Sequence, residues 1–194
     1  MFDKRVIQFA VLTAIVVSAA VTVPTASAQD QRPTVYLGLG QLRGFRERAV
    51  GGPSTFAAQV SVPIGLTGSM SPALGKTSLE LYMSKTTKNN DGWTSFGILV
   101  TERVPLGVTG DDENTDKVPY FGFGLGFGFT QGRATISSGT TPIILSKQTS
   151  SRLLRFCIGK NLSSKLSAEV AYTIVPSTLG LNPNHLTVNI GLKL

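Results

Sequence analysis

The sequence predicts an all-β protein, an eight-stranded antiparallel up-and-down transmembrane β-barrel. Three observations carry that prediction. Residues 118–130 read VPYFGFGLGFGFT, in which Phe121, Phe123, Leu125, Phe127 and Phe129 alternate with Gly122, Gly124, Gly126 and Gly128. A period of two belongs to a strand, and each internal glycine would cost a helix about 1 kcal/mol. One face is large and apolar and the other has no side chains, which suits a strand with hydrocarbon outside and a crowded lumen inside. Second, segments of strand length with the same period recur along the chain. Third, beyond the N-terminal leader no apolar run could form a spanning helix, so a chain that crosses a membrane must do so as a closed barrel.

The leader comes first. Lys4 and Arg5 precede an apolar stretch from Phe9 to Ala20, and Ala26-Ser27-Ala28 has the small-x-small pattern of a signal-peptide cleavage site. A permanent anchor needs about 20 apolar residues, and this run is shorter. Residues 1–28 are therefore expected to be a secretory signal peptide, and Gln29–Leu194 a single barrel domain. Loss of Asp3, Lys4 and Arg5 takes the formal charge from +7 to +6. The surplus is scattered, with no basic helix or aromatic–basic motif to indicate nucleic acid. Cys157 is the only cysteine, which excludes an intramolecular disulfide and a Cys-ligated zinc site. No metal or other cofactor is expected.

The strands follow in order. Thr34–Leu42 sets Val35, Leu37 and Leu39 against Tyr36, Gly38 and Gly40; Thr55–Ile64 sets Phe56, Ala58, Val60 and Val62 against Thr55, Ala57, Gln59 and Ser61. Thr77–Lys85 sets Leu79, Leu81 and Met83 against Ser78, Glu80, Tyr82 and Ser84, and Trp93–Arg103 sets Phe96, Ile98 and Val100 against Ser95, Gly97, Leu99 and Thr101. The glycine-rich run is the fifth. Arg152–Lys160, Leu166–Val175 and His185–Leu194 complete the set, the last with Leu186, Val188, Ile190 and Leu192 on one face. An even count of eight suits the smallest membrane barrels.

The connections fix the ends. Val62-Pro63-Ile64-Gly65-Leu66-Thr67-Gly68 recurs as Val104-Pro105-Leu106-Gly107-Val108-Thr109-Gly110, and both copies close an even-numbered strand, so both belong to one rim. Proline is tolerated there because the ladder is ending. Asn161–Lys165 is a short turn at the same rim, the periplasmic one if the N-terminus lies in the periplasm. The acidic run Asp111-Asp112-Glu113, with Asp116, makes the second turn there unusually long. Arg43–Ser54, Thr86–Gly92, Gln131–Ser150 and Pro176–Asn184 are expected as outer loops.

PYFGFGLGFGF (Pro119–Phe129), RFCIGKNLSSKLSAEVAYTI (Arg155–Ile174) and HLTVNIGLKL (His185–Leu194) resemble the opacity-protein and OmpA-type eight-stranded outer-membrane barrels of Gram-negative bacteria. The resemblance spans essentially the whole mature chain. It implies an outer-membrane location after export, contact with outer-membrane lipid and lipopolysaccharide, and insertion by the barrel-assembly machinery. It also implies a monomer with a structural or surface-interaction role rather than a catalytic one. Members usually end in an aromatic residue, whereas this chain ends in Leu194.

Three groups are candidates for function. Glu80, Arg155, Glu169 and Lys193 fall on the inward face, with Arg103 at its edge. Counting back from the Asn161–Lys165 turn sets Cys157 opposite Glu169 and Arg155 diagonal to it. Charges in a narrow barrel must be paired or hydrated, so the group is either a structural ion-pair plug or the lining of a selective conduit; about eight strands enclose only side chains or one small ligand, which favours the plug. Arg43, Arg46 and Arg48 in the first outer loop suit lipopolysaccharide phosphates, or form a solvated face offset by Glu47. His185, the single histidine, stands in His185-Leu186-Thr187, a near match to the His-x-Ser pair of lipid A deacylases. Its strand pattern turns His185 and Thr187 inward, away from acyl chains, and no acidic residue is near in sequence to orient a base. No catalytic residue is therefore expected. A narrow channel or carrier for small apolar molecules, a lipid A-modifying enzyme and a soluble lipocalin-like barrel are the alternatives.

Overall fold

The structure, a computed structural model, describes residues 32–64, 76–107, 118–138 and 141–194. The leader, the second half of each Val-Pro repeat and the acidic run lie outside the described residues. Eight strands close into one barrel in which each pairs antiparallel with its sequence neighbours and the last returns to the first. They are β1 (Thr34–Leu42), β2 (Ser54–Pro63), β3 (Lys76–Lys88), β4 (Asp91–Pro105), β5 (Tyr120–Ser138), β6 (Thr141–Asn161), β7 (Leu166–Ile174) and β8 (His185–Lys193). A short helix, α1 (Phe45–Gly51), sits in the first outer connection.

Alternation decides which face is which. Leu39 is 71% exposed, Phe127 62% and Val188 58%, whereas inward Glu80, Leu99 and Thr101 are 0% exposed. The barrel is inside out relative to a soluble protein: apolar side chains cover its outer wall, and Thr, Ser, Tyr and charged residues fill its interior. That distribution is the one a barrel needs when hydrocarbon surrounds it. A soluble lipocalin-like barrel, with its apolar face inward, is thereby contradicted.

The glycine face of β5 is inward, and the backbone of β4 and side chains of β4 and β6 occupy the room it leaves. A Cβ on Gly126 would lie 1.9 Å from the Ile98 carbonyl oxygen and 2.7 Å from Leu99 Cα, and one on Gly122 would lie 2.4 Å from Cys157 Sγ. β4 and β6 can therefore bring Leu99, Arg155 and Cys157 against β5 across a narrow lumen.

Pro63 closes β2 and Pro105 closes β4 at one rim. The chain leaves each by the same bond: the Ile64 amide donates to the Thr77 carbonyl (2.9 Å) and the Leu106 amide to the Pro119 carbonyl (2.7 Å). The opposite rim departs from expectation in three places. Thr86–Gly92 is mostly ladder, turned by Asn89 and Asn90, both at positive φ, a conformation asparagine tolerates in two-residue hairpins. Arg43–Ser54 contains α1. Gln131–Ser150 is not a loop: it continues β5 and β6 as a paired hairpin out to Ser138↔Thr141. Its composition reads as loop because the outward residues of β5 there, Gln131, Arg133, Thr135 and Ser137, are polar, leaving no apolar alternation to mark a strand.

Candidate functional site

Four strands supply the charged interior: Glu80 from β3, Arg103 from β4, Arg155 from β6 and Glu169 from β7. Arg103 Nη2 lies 2.6 Å from Glu80 Oε1 and 3.3 Å from Glu169 Oε2. Arg155 Nη2 donates to Glu169 Oε1, and its Nε stands 4.0 Å from Glu80 Oε2. Two guanidiniums and two carboxylates thus alternate in a ring across the lumen, with no net charge. The remaining donors and ring faces nearby complete it. Arg103 Nη1 donates to Ser78 Oγ (2.9 Å) and Ser61 Oγ (3.5 Å), and the Tyr120 hydroxyl donates to Glu169 Oε2 (3.2 Å). The Arg103 guanidinium carbon lies 5.5 Å from the Tyr36 ring centre and 5.8 Å from that of Tyr120, and Arg155 lies 5.9 Å from Tyr82. Such cation–π contacts strengthen when water is excluded. The tyrosines carry no sequence motif; their inward parity was the available signal.

Two expectations about this group need correction. Arg103 is not peripheral: like Arg155 it meets both carboxylates, because its long side chain leaves the end of β4 and reaches along the lumen past Gly122. The β6–β7 register is also different: Cys157 faces Ala171, Gly159 faces Glu169 and Arg155 faces Thr173. Asn161 stays in the ladder opposite Ser167, and the turn is drawn in by Ser163 Oγ, which accepts from the Lys165 and Leu166 amides at 3.2 and 3.1 Å. A shift of two keeps every side chain on its own face, so the inward set is unchanged while the partners differ. Arg155 still reaches Glu169 through the length of its side chain, and the room left by Gly159 is taken by the Tyr120 hydroxyl that also donates to Glu169. Lys193 lies half-exposed opposite Thr34 at the rim, outside the ring of four.

Beyond the ring, Ala57, Tyr82, Leu99, Leu153 and Val175 form an apolar layer. His185, 1% exposed, stacks on Tyr82 with ring centres 6.0 Å apart and hydrogen-bonds the Tyr82 hydroxyl through Nε2. Its Nδ1 is 3.0 Å from the Pro183 carbonyl oxygen, which can only accept, so Nδ1 carries the proton and Nε2 accepts from Tyr82. Both ring nitrogens are occupied. Thr187 is buried as well, with its hydroxyl directed to the Ala171 carbonyl at 3.5 Å.

The outer rim carries the other candidates. Arg43 lies over the Tyr172 ring at 5.9 Å, while Arg46 and Arg48 sit exposed on α1. Residues two apart on a helix do not share a face, so these two cannot close on one phosphate. Glu47 is engaged elsewhere, accepting from the Asn182 amide at 3.1 Å.

Solved structures of the same architecture exist. The N-terminal β-barrel domain of Pseudomonas aeruginosa OprF is 8% identical with a TM-score of 0.50, covering 84% of this chain and 98% of that one. The outer membrane enzyme PagL is 14% identical with a TM-score of 0.52, covering 83% of this chain and 99% of that one. The chain has the fold of the eight-stranded outer-membrane barrels. No family model matches it, and no curated protein matches it in sequence.

Proposed function

We propose that the chain is exported by residues 1–28, inserted by the barrel-assembly machinery, and serves as a monomeric, non-catalytic outer-membrane barrel with a structural or surface-interaction role. The filled lumen carries this reading. The neutral Arg–Glu ring and the apolar layer beyond it occupy the axis, which favours an anchor that displays its outer connections over a conduit. Arg43, Arg46 and Arg48 contribute separate attractions to lipopolysaccharide phosphates rather than a single clamp. PagL is an enzyme, yet His185 and Thr187 here face the lumen with their polar atoms engaged, which supports a non-catalytic role. Planar-bilayer recording tests the reading: the purified protein should insert and carry negligible current. Steady conductance by the wild type would overturn the plug and favour a narrow channel.

A further inference from the structure

A cavity of about 330 Å³ lies at the outer mouth, between α1, the β3–β4 turn, the β5–β6 hairpin and the β7–β8 connection. Most of its walls are aliphatic, with Val50, Ile136, Leu145, Leu179 and Leu181 among them, while Lys88, Asn89, Asp91 and Thr135 supply its polar groups. Ile136 and Leu145 share the inward parity of Gly132 and Leu153, so the cleft opens over the mouth of the barrel rather than toward the lipid-facing wall. A ligand therefore arrives from water, not from the bilayer.

Charge selects among such ligands. Of the two described carboxylates at this end, Asp91 lines the cleft but has both oxygens held by Thr135, whose amide and hydroxyl donate at 3.0 and 2.8 Å, and Glu47 accepts from the Asn182 amide. Lys88 is exposed and, among the described residues, has no ion-pair partner. The volume is near the lower limit of small-molecule pockets, about 300 Å³, so it holds one chain and not a multi-chain lipid. We infer that this cleft binds a free single-chain amphiphile with an anionic head, its alkyl tail among Ile136, Leu145, Leu179 and Leu181 and its carboxylate on Lys88. The inference goes beyond the anchoring role and needs only the fold.

Trp93, the single tryptophan, packs against Gly51 of α1 and beside Gly132 of β5, so it reports on the cleft. The test is a Trp93 fluorescence titration of the full mature barrel in zwitterionic nanodiscs with dodecanoate, dodecanol or dodecyltrimethylammonium, against empty discs. Dodecanoate should give a saturable change and dodecyltrimethylammonium none. Lys88→Gln should weaken dodecanoate by about three- to tenfold while leaving dodecanol unchanged. Leu145→Asp and Ile136→Asp, each verified as folded by its gel shift, should abolish binding of both. No saturable response to dodecanoate, equal binding of the cationic amphiphile, or unaltered binding by both aspartate variants would overturn the assignment.

Discussion

Glu169 is the residue whose loss should disturb the interior most. It is 1% exposed and meets Arg155, Arg103 and the Tyr120 hydroxyl. Glu169→Gln would leave two buried guanidiniums facing one carboxylate, Glu80, at 2.6 Å from Arg103 and 4.0 Å from Arg155. Stranding a buried charge in this way costs about 3–5 kcal/mol. Arg155→Gln should cost toward the lower end, because Glu169 keeps Arg103 at 3.3 Å and Tyr120 at 3.2 Å. The double variant Glu169→Gln/Arg155→Gln retains the Arg103–Glu80 pair at 2.6 Å and restores neutrality. Its loss should fall short of the summed single losses by about 1–3 kcal/mol. Glu169→Gln/Arg103→Gln leaves only the longer Arg155–Glu80 contact, 4.0 Å, and should recover less. Reversible urea unfolding from lipid vesicles, followed by Trp93 fluorescence and the gel shift of the folded band, measures all of these. Additive losses in both double variants would refute the ring of alternating charges.

Other consequences can be checked separately. Leu125→Arg on the outer wall, where Leu125 is 50% exposed, should cost about 2–4 kcal/mol at mid-bilayer, whereas Ser137→Asn on the exposed hairpin should leave the urea midpoint unchanged. Gly126→Ala places a methyl against the Ile98 carbonyl and should destabilise by about 1–3 kcal/mol in the same assay. His185→Ala should lower the unfolding midpoint by removing the Tyr82 bond, yet leave the lipid A acylation pattern of cells unchanged by mass spectrometry.

The lipid-facing portion of the chain was the most legible in sequence, and for a physical reason. Where one face meets hydrocarbon and the other a packed lumen, every second residue is constrained, so β1 runs over the expected Thr34–Leu42 and β8 begins at the expected His185. Above the apolar belt that constraint ends. Ile143, Ile144 and Leu145 are consecutive and all exposed, and the hairpin holding them is specified by backbone pairing that leaves no two-residue period. α1 is hidden similarly, being only seven residues long, flanked by Gly44 and Gly52, and without a side-chain cap. Inside the barrel, parity identified which charges face the lumen, and the short β6–β7 turn set Arg155 near Glu169, but the register and the contacts of Glu80 and Arg103 were not legible, since they depend on turn length and on how far a side chain such as Arg103 reaches.

The alternating wall of the barrel divides hydrocarbon from a filled lumen. Spin labels placed singly along β8 in a Cys157→Ser background test it most directly, read for collisional access in lipid vesicles. Labels at Leu186, Val188, Ile190 and Leu192 should be accessible to dissolved oxygen and shielded from a water-soluble nickel reagent, with oxygen access greatest near Val188 and Ile190. Labels at Thr187 and Asn189, if the variants fold, should be shielded from both. Nickel access at Val188 and Ile190 in the folded protein would place that wall in water and contradict the transmembrane barrel.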